Sequence, residues 1–63
     1  MPLVEISMLT GRDPATKERI IREVTDAVVR TSGAAPDEVT VIIHDVPRTD
    51  WARAGKPYSK MKD

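Results

Sequence analysis

The chain has 63 residues, room for one domain spanning 1–63, and a domain of this size buries only about 60 % of the surface its unfolded chain exposes. It has no cysteine and one histidine, His44, which excludes disulfides and thiolate metal sites and argues against a structural metal, so association with further copies is the expected source of extra burial. Lys+Arg and Asp+Glu each number 10, giving no basic excess of the kind that marks nucleic-acid binders, and no apolar run approaches the roughly 20 residues that span a bilayer.

The start, Met1-Pro2-Leu3-Val4-Glu5, lacks a basic segment ahead of an apolar one, so no secretory signal is expected and the predicted location is cytoplasmic. Residues 2–9 alternate: Val4, Ile6 and Met8 share one side, and Leu3, Glu5, Ser7 and Leu9 the other. That period of two predicts a strand, and the apolar Leu3 and Leu9 predict partial cover for its second face. Thr10-Gly11-Arg12 is a connection. Asp13 then suits a helix N-cap and Pro14 the first helical position. Ile20, Ile21, Val24, Ala27, Val28 and Thr31 recur at helical spacing and form one apolar stripe. Glu18/Arg22 and Asp26/Arg30 are favourable i,i+4 pairs, each worth about 0.3–0.5 kcal/mol if formed. Gly33 ends the helix in a left-handed conformation, so the spacing predicts a helix over 14–32.

A short connection, 34–37, leads to Val39-Thr40-Val41-Ile42-Ile43-His44, a β-branched apolar run that predicts a second strand. Pro47, which has no N–H for a ladder, closes it. Strand, amphipathic helix, strand is a β-α-β unit. Its crossover makes the strands parallel and the connection right-handed. Residues 48–63 read as irregular, with Ala54-Gly55 placed to turn a short hairpin. The expected fold class is therefore α/β (α+β): two parallel strands, one amphipathic helix and a short C-terminal hairpin, completed by oligomerisation, because open edges recruit other chains.

Four positions can carry chemistry. Removal of Met1 by methionine aminopeptidase leaves Pro2 with a secondary amine at the chain terminus. An ordinary α-amino group titrates near pH 8 (roughly). An apolar pocket or a nearby arginine favours its neutral form, and a base tuned near the working pH can move a proton between carbon and oxygen. Arg12, beside Gly11, offers a guanidinium that grips a carboxylate with two parallel hydrogen bonds. Trp51, the one tryptophan, can wall an apolar pocket. His44 closes the second strand without an evident partner. Each has a plainer reading: a processing-friendly second residue, a solvated loop arginine, an interface filler, a surface histidine. Lys56, Lys60 and Lys62 make a mildly basic, solvated tail.

Taken in order, Met1-Pro2-Leu3, Met8-Leu9-Thr10-Gly11-Arg12, the helix sequence Lys17-Glu18-Arg19-Ile20-Ile21-Arg22-Glu23-Val24-Thr25-Asp26-Ala27-Val28, the strand Val39-Thr40-Val41-Ile42-Ile43, and Trp51 before Ala54-Gly55 resemble the 4-oxalocrotonate tautomerase family. The likeness spans nearly the whole chain. It implies an obligate homo-oligomer, commonly a hexamer built as a trimer of dimers. It implies a cofactor-free keto–enol tautomerase of the isomerase class, with Pro2 as general base and a small carboxylate-bearing substrate. It also implies that Arg12 of a neighbouring subunit binds that carboxylate, that the Leu9 backbone lies close to the substrate, and that Trp51 lines the apolar pocket. One position departs. Well-known members carry a second arginine in strand two that stabilises the developing enolate; here that residue is Thr40, which brings no cation. Arg48, Arg53 and His44 are possible replacements. Members that hydrate haloacrylates use an acid to activate water, and residues 51–62 contain none. Two alternatives stay open within the resemblance: a changed reaction, by decarboxylation or iminium chemistry, and a catalytically inactive oligomeric module.

Overall fold

The computed structural model describes residues 1–61. Strand β1 covers Leu3–Leu9, helix α1 Pro14–Ser32 and strand β2 Thr40–Val46. The last segment forms a two-residue-per-strand hairpin, β3 at Ala52–Arg53 and β4 at Lys56–Pro57, set between single 3-10 turns at Arg48–Asp50 and Tyr58–Lys60. This is the expected β-α-β unit with a C-terminal hairpin. Residues 48–61 are thus more regular than their composition implies, and a further 3-10 turn at Pro36–Glu38 occupies the connection ahead of β2. Lys62, counted above in the basic tail, lies outside the described residues.

β1 and β2 pair in parallel, Leu3 opposite Thr40 through Leu9 opposite Val46. The helix-side face carries Val4, Ile6 and Met8 from β1 and Val41 and Ile43 from β2, all half-buried. The opposite face carries exposed Leu3, Glu5 and Ser7 beside Thr40, Ile42 and His44. β2 starts one residue later than the apolar run, because the Val39 N–H closes the 3-10 turn on the Pro36 carbonyl at 3.3 Å. It also extends beyond His44 to Val46, and Pro47 then stops it.

The helix forms where its caps place it. The Asp13 carboxylate accepts the Thr16 N–H at 2.8 Å, Pro14 occupies the first turn, and Gly33 sits at φ 79 with its N–H on the Val29 carbonyl. Ile20, Val24, Ala27 and Val28 face the sheet as expected, but Ile21 and Thr31 are exposed. The stripe is narrower than the apolar residues imply. The sheet has only two strands to cover, and the Thr31 hydroxyl turns back to the Ala27 carbonyl at 2.8 Å. Neither Glu18/Arg22 nor Asp26/Arg30 closes as an ion pair. The pairs among the described residues are Lys17–Asp45 and Glu5–His44, both between elements.

No described residue is fully buried. Leu3 is 55 % exposed and Ile42 39 %. The accessible surface is 4836 Å², against about 4,000 Å² for a compact monomer of this mass. The radius of gyration is 14.7 Å, against about 11 Å for a compact chain of this length. The long axis of 43 Å exceeds the helix, which is about 28 Å at 1.5 Å per residue, and the hairpin, which packs mainly against its own flanking 3-10 turn, forms an arm. Among the described residues no helix is long and apolar enough to cross a membrane.

Candidate active site

The four candidate residues sit at different places on this frame. Pro2 precedes β1, half-buried, and its carbonyl accepts the Thr40 N–H at 3.0 Å, extending the parallel ladder by one rung. That bond fixes the Pro2 backbone at the N-terminal edge of the sheet. Met1 beyond it is 91 % exposed. Leu9 ends β1 at the opposite end of the strand. From Pro2 to Leu9 the strand rises about 23 Å, seven steps of about 3.3 Å. Arg12 lies just past Leu9 and donates from Nη1 to the Leu9 carbonyl at 3.2 Å. Leu9 and Arg12 are therefore together, and Pro2 is at the far end of the same strand.

Trp51 stands at the root of the projecting hairpin, half-buried. Its carbonyl accepts the Tyr58 N–H at 2.6 Å, which closes the hairpin one rung below the Ala52–Pro57 pair. The Arg48 guanidinium stacks over the Tyr58 ring, 4.7 Å from its centre, so Arg48 is engaged within this arm. Thr40 is the β2 residue nearest Pro2, beside Leu3 in the ladder, and its side chain faces the open side of the sheet. His44 approaches Glu5 across that open face, Nε2 to Oε2 3.2 Å. The surface reading of His44 holds, with a carboxylate partner that the sequence left unassigned.

Arg12 makes no ion pair among the described residues. Among the described residues its guanidinium meets one backbone carbonyl, and the residue is exposed. It is a cation available to an external anion. Sequence reasoning overlooked the set behind it: Asp45 Oδ2 accepts both the Thr10 hydroxyl at 3.3 Å and the Lys17 ammonium at 3.0 Å. The available signal was the strand register, which brings Asp45 beside Met8 and points it, like Val41 and Ile43, toward the helix. Among the described residues no cavity forms within one chain, and every candidate lies at its surface.

A two-stranded parallel sheet with one crossover helix and a short hairpin defines a small β-α-β class of protein, and in this chain Pro2 and the Gly11-Arg12 loop lie at opposite ends of its first strand. A family model described as tautomerase enzyme matches residues 2–61. The chain is 46 % identical to the 2-hydroxymuconate tautomerase of Comamonas testosteroni over 87 % of each protein. It is 37 % identical to a probable tautomerase of Ralstonia nicotianae, over 95 % of this chain and 92 % of that one. Among solved structures, a 4-oxalocrotonate tautomerase homologue superposes with a TM-score of 0.93 at 32 % identity over all of both chains. A heterohexamer 4-oxalocrotonate tautomerase from Chloroflexus aurantiacus superposes with a TM-score of 0.91 at 31 % identity, over 98 % of this chain and 100 % of that one. The chain belongs to the tautomerase family and is an enzyme of the isomerase class.

Proposed function

We propose that this chain is a cofactor-independent keto–enol tautomerase acting on a small 2-hydroxydienoate or α-keto acid, with Pro2 as general base once Met1 is removed. The observation that carries the proposal is the exposed Arg12, unpaired with any described carboxylate and bonded to the Leu9 carbonyl, just past the end of an edge strand that Pro2 precedes. Each strand of the two-stranded sheet keeps one open edge. If two β1 edges pair antiparallel about a two-fold axis, the Pro2 end of one copy comes beside the Arg12 end of the other. The active site then lies between subunits of a dimer-based homo-oligomer, a hexamer in the fullest form, working in the cytoplasm. The surface of about 800 Å² beyond that of a compact monomer equals one partner's share of a standard interface.

In the reaction, the substrate carboxylate rests on the Arg12 guanidinium of the neighbouring copy, near the Leu9 backbone, and Trp51 covers the apolar part of the substrate. Neutral Pro2 nitrogen takes the proton of the 2-hydroxyl group. The electron pair left on oxygen becomes a carbonyl and pushes density along the diene. Protonated Pro2 returns the proton at carbon, giving an α,β-unsaturated ketone; nothing is oxidised, and no atom is gained or lost. An apolar surround and the Arg12 cation both favour the unprotonated amine that starts the cycle.

Intact mass of the native protein and a Pro2→Ala variant test this reading. The expected mass lacks one methionine. The variant is expected to fold and assemble while losing turnover of phenylenolpyruvate by about two to four orders of magnitude, the usual worth of a positioned general base. A native chain that keeps Met1, or a variant with full activity, refutes Pro2 as the base.

A further inference from the structure

We infer that Asp45 is a positioning residue for the substrate-binding loop, holding the 10–13 connection so that Arg12 is presented to a carboxylate; the inference rests on the reading of Arg12 given above. One oxygen, Asp45 Oδ2, accepts hydrogen bonds from both sides of Arg12 in sequence. The Thr10 hydroxyl reaches it from the end of β1 at 3.3 Å, and the Lys17 ammonium reaches it from the first turns of α1 at 3.0 Å. The Thr10 N–H adds a backbone bond to the Val46 carbonyl at 2.9 Å. The loop is thus tied to β2 on its strand side and, through Lys17, on its helix side, with Arg12 between the ties.

The ion pair has a second effect. A cation in the first turns of a helix is opposed by the positive end of the helix dipole, so Lys17 gains from a carboxylate placed against it. With Lys17 paired to Asp45, its ammonium no longer competes with Arg12 for an incoming carboxylate. Asp45 therefore does two things: it limits the movement of the loop, and it keeps a flexible ammonium from competing for the substrate. Both act on substrate binding through Arg12.

The test is steady-state kinetics on assembled enzyme with phenylenolpyruvate and with an aryl enol lacking the carboxylate. Variants Asp45→Asn/Lys17→Met and Thr10→Val are measured in the native and Arg12→Ala backgrounds. Replacing Lys17 as well keeps the freed ammonium from masking the effect. The double variant is expected to raise KM for phenylenolpyruvate about fivefold, a coupling typical of groups in one hydrogen-bond network. It leaves kcat within about twofold and the carboxylate-free substrate unaffected, with Thr10→Val acting in the same direction. In the Arg12→Ala background the added effect disappears. Equal losses on both substrates, or the same KM factor with and without Arg12, overturn the positioning role. Arg12→Ala that itself leaves KM unchanged refutes the carboxylate role of Arg12. Arg12→Ala that raises KM while the Asp45 and Thr10 variants leave it unchanged refutes the present inference alone.

Discussion

Leu3 lies on the face that the proposed assembly would cover, and its truncation gives a quantitative test. The residue is 55 % exposed on the open face of the sheet, next to Pro2 and diagonal to Ile42 in the β1–β2 register. Complete burial of a leucine side chain is worth about 1.5–3 kcal/mol. The exposed half therefore leaves about 1 kcal/mol to be gained when another copy covers this face. Each copy brings one Leu3, so Leu3→Ala removes about 2 kcal/mol from the association of a pair, roughly a 30-fold rise in the dissociation constant. Sedimentation across a dilution series reads that constant directly, and specific activity measured across the same series must fall at the same protein concentrations. An assembly midpoint that does not move refutes the argument that this face is covered in the active protein. A midpoint that moves while specific activity stays constant refutes a site shared between copies.

Three further outcomes are expected. Thr40 supplies no cation at the Pro2 end of the sheet, so a substrate with one carboxylate is preferred over a dicarboxylate; Thr40→Arg should raise kcat/KM for 2-hydroxymuconate by about tenfold or more, the worth of one charge-assisted hydrogen bond, and competition assays showing no gain refute the assignment. Ala54 and Gly55 both have positive φ, 53 and 78, the two-residue turn that favours Asn-Gly. Ala54→Asn should therefore stabilise the hairpin by about 1 kcal/mol and raise the melting temperature by several degrees (about 4–8 °C for a domain of this size), and calorimetry that finds a lower melting temperature contradicts the turn. Hydrogen bonds from Thr16, first from its side chain and then from its backbone, hold the Asp13 carboxyl below its ordinary value of 3.8. A depressed folded-state value means the cap stabilises above the unfolded-state value and is lost as pH falls through the folded one. Helicity followed by circular dichroism should fall less below about pH 4 in Asp13→Asn, which keeps the cap without its titration; an unchanged acid limb excludes Asp13 as a contributor.

Most of the fold was legible in the sequence because its signals are local. Pro14 and Gly33 bracket the helix at the residues where it begins and ends, and the alternation of Val4, Ile6 and Met8 assigns the helix-side face of β1. The misreadings share a cause: they depend on what lies beside a residue in space. Ile21 is apolar and correctly spaced, but a two-stranded sheet is too narrow to cover it. Glu18 and Arg22 are correctly spaced as well, yet exposed side chains gain little from closing such a pair. The two ion pairs that form among the described residues, Lys17–Asp45 and Glu5–His44, join residues far apart in the chain, and only the strand pairing and the packing of the helix on the sheet reveal them. The same limit applies to the site. Pro2, Arg12 and Trp51 are conspicuous by residue type and position; Asp45 is conspicuous only once β2 is laid beside β1.

The distance from Pro2 to Arg12 sets the order of events in this protein. A strand of fixed rise cannot fold back to join its own ends, so Pro2 and the Leu9 carbonyl that holds Arg12 stay about 23 Å apart within one chain. The half-built sheet leaves both edges open, and with them a face that exposes Leu3 and Ile42, which is the state that a small core cannot stabilise alone. The pairing that would close an edge is also the pairing that would bring Pro2 to Arg12. On this argument no substitution within a single chain can assemble the proposed site without a partner. In the proposed assembly, the open strand edge that leaves the lone chain incomplete as a fold also leaves it incomplete as a catalyst.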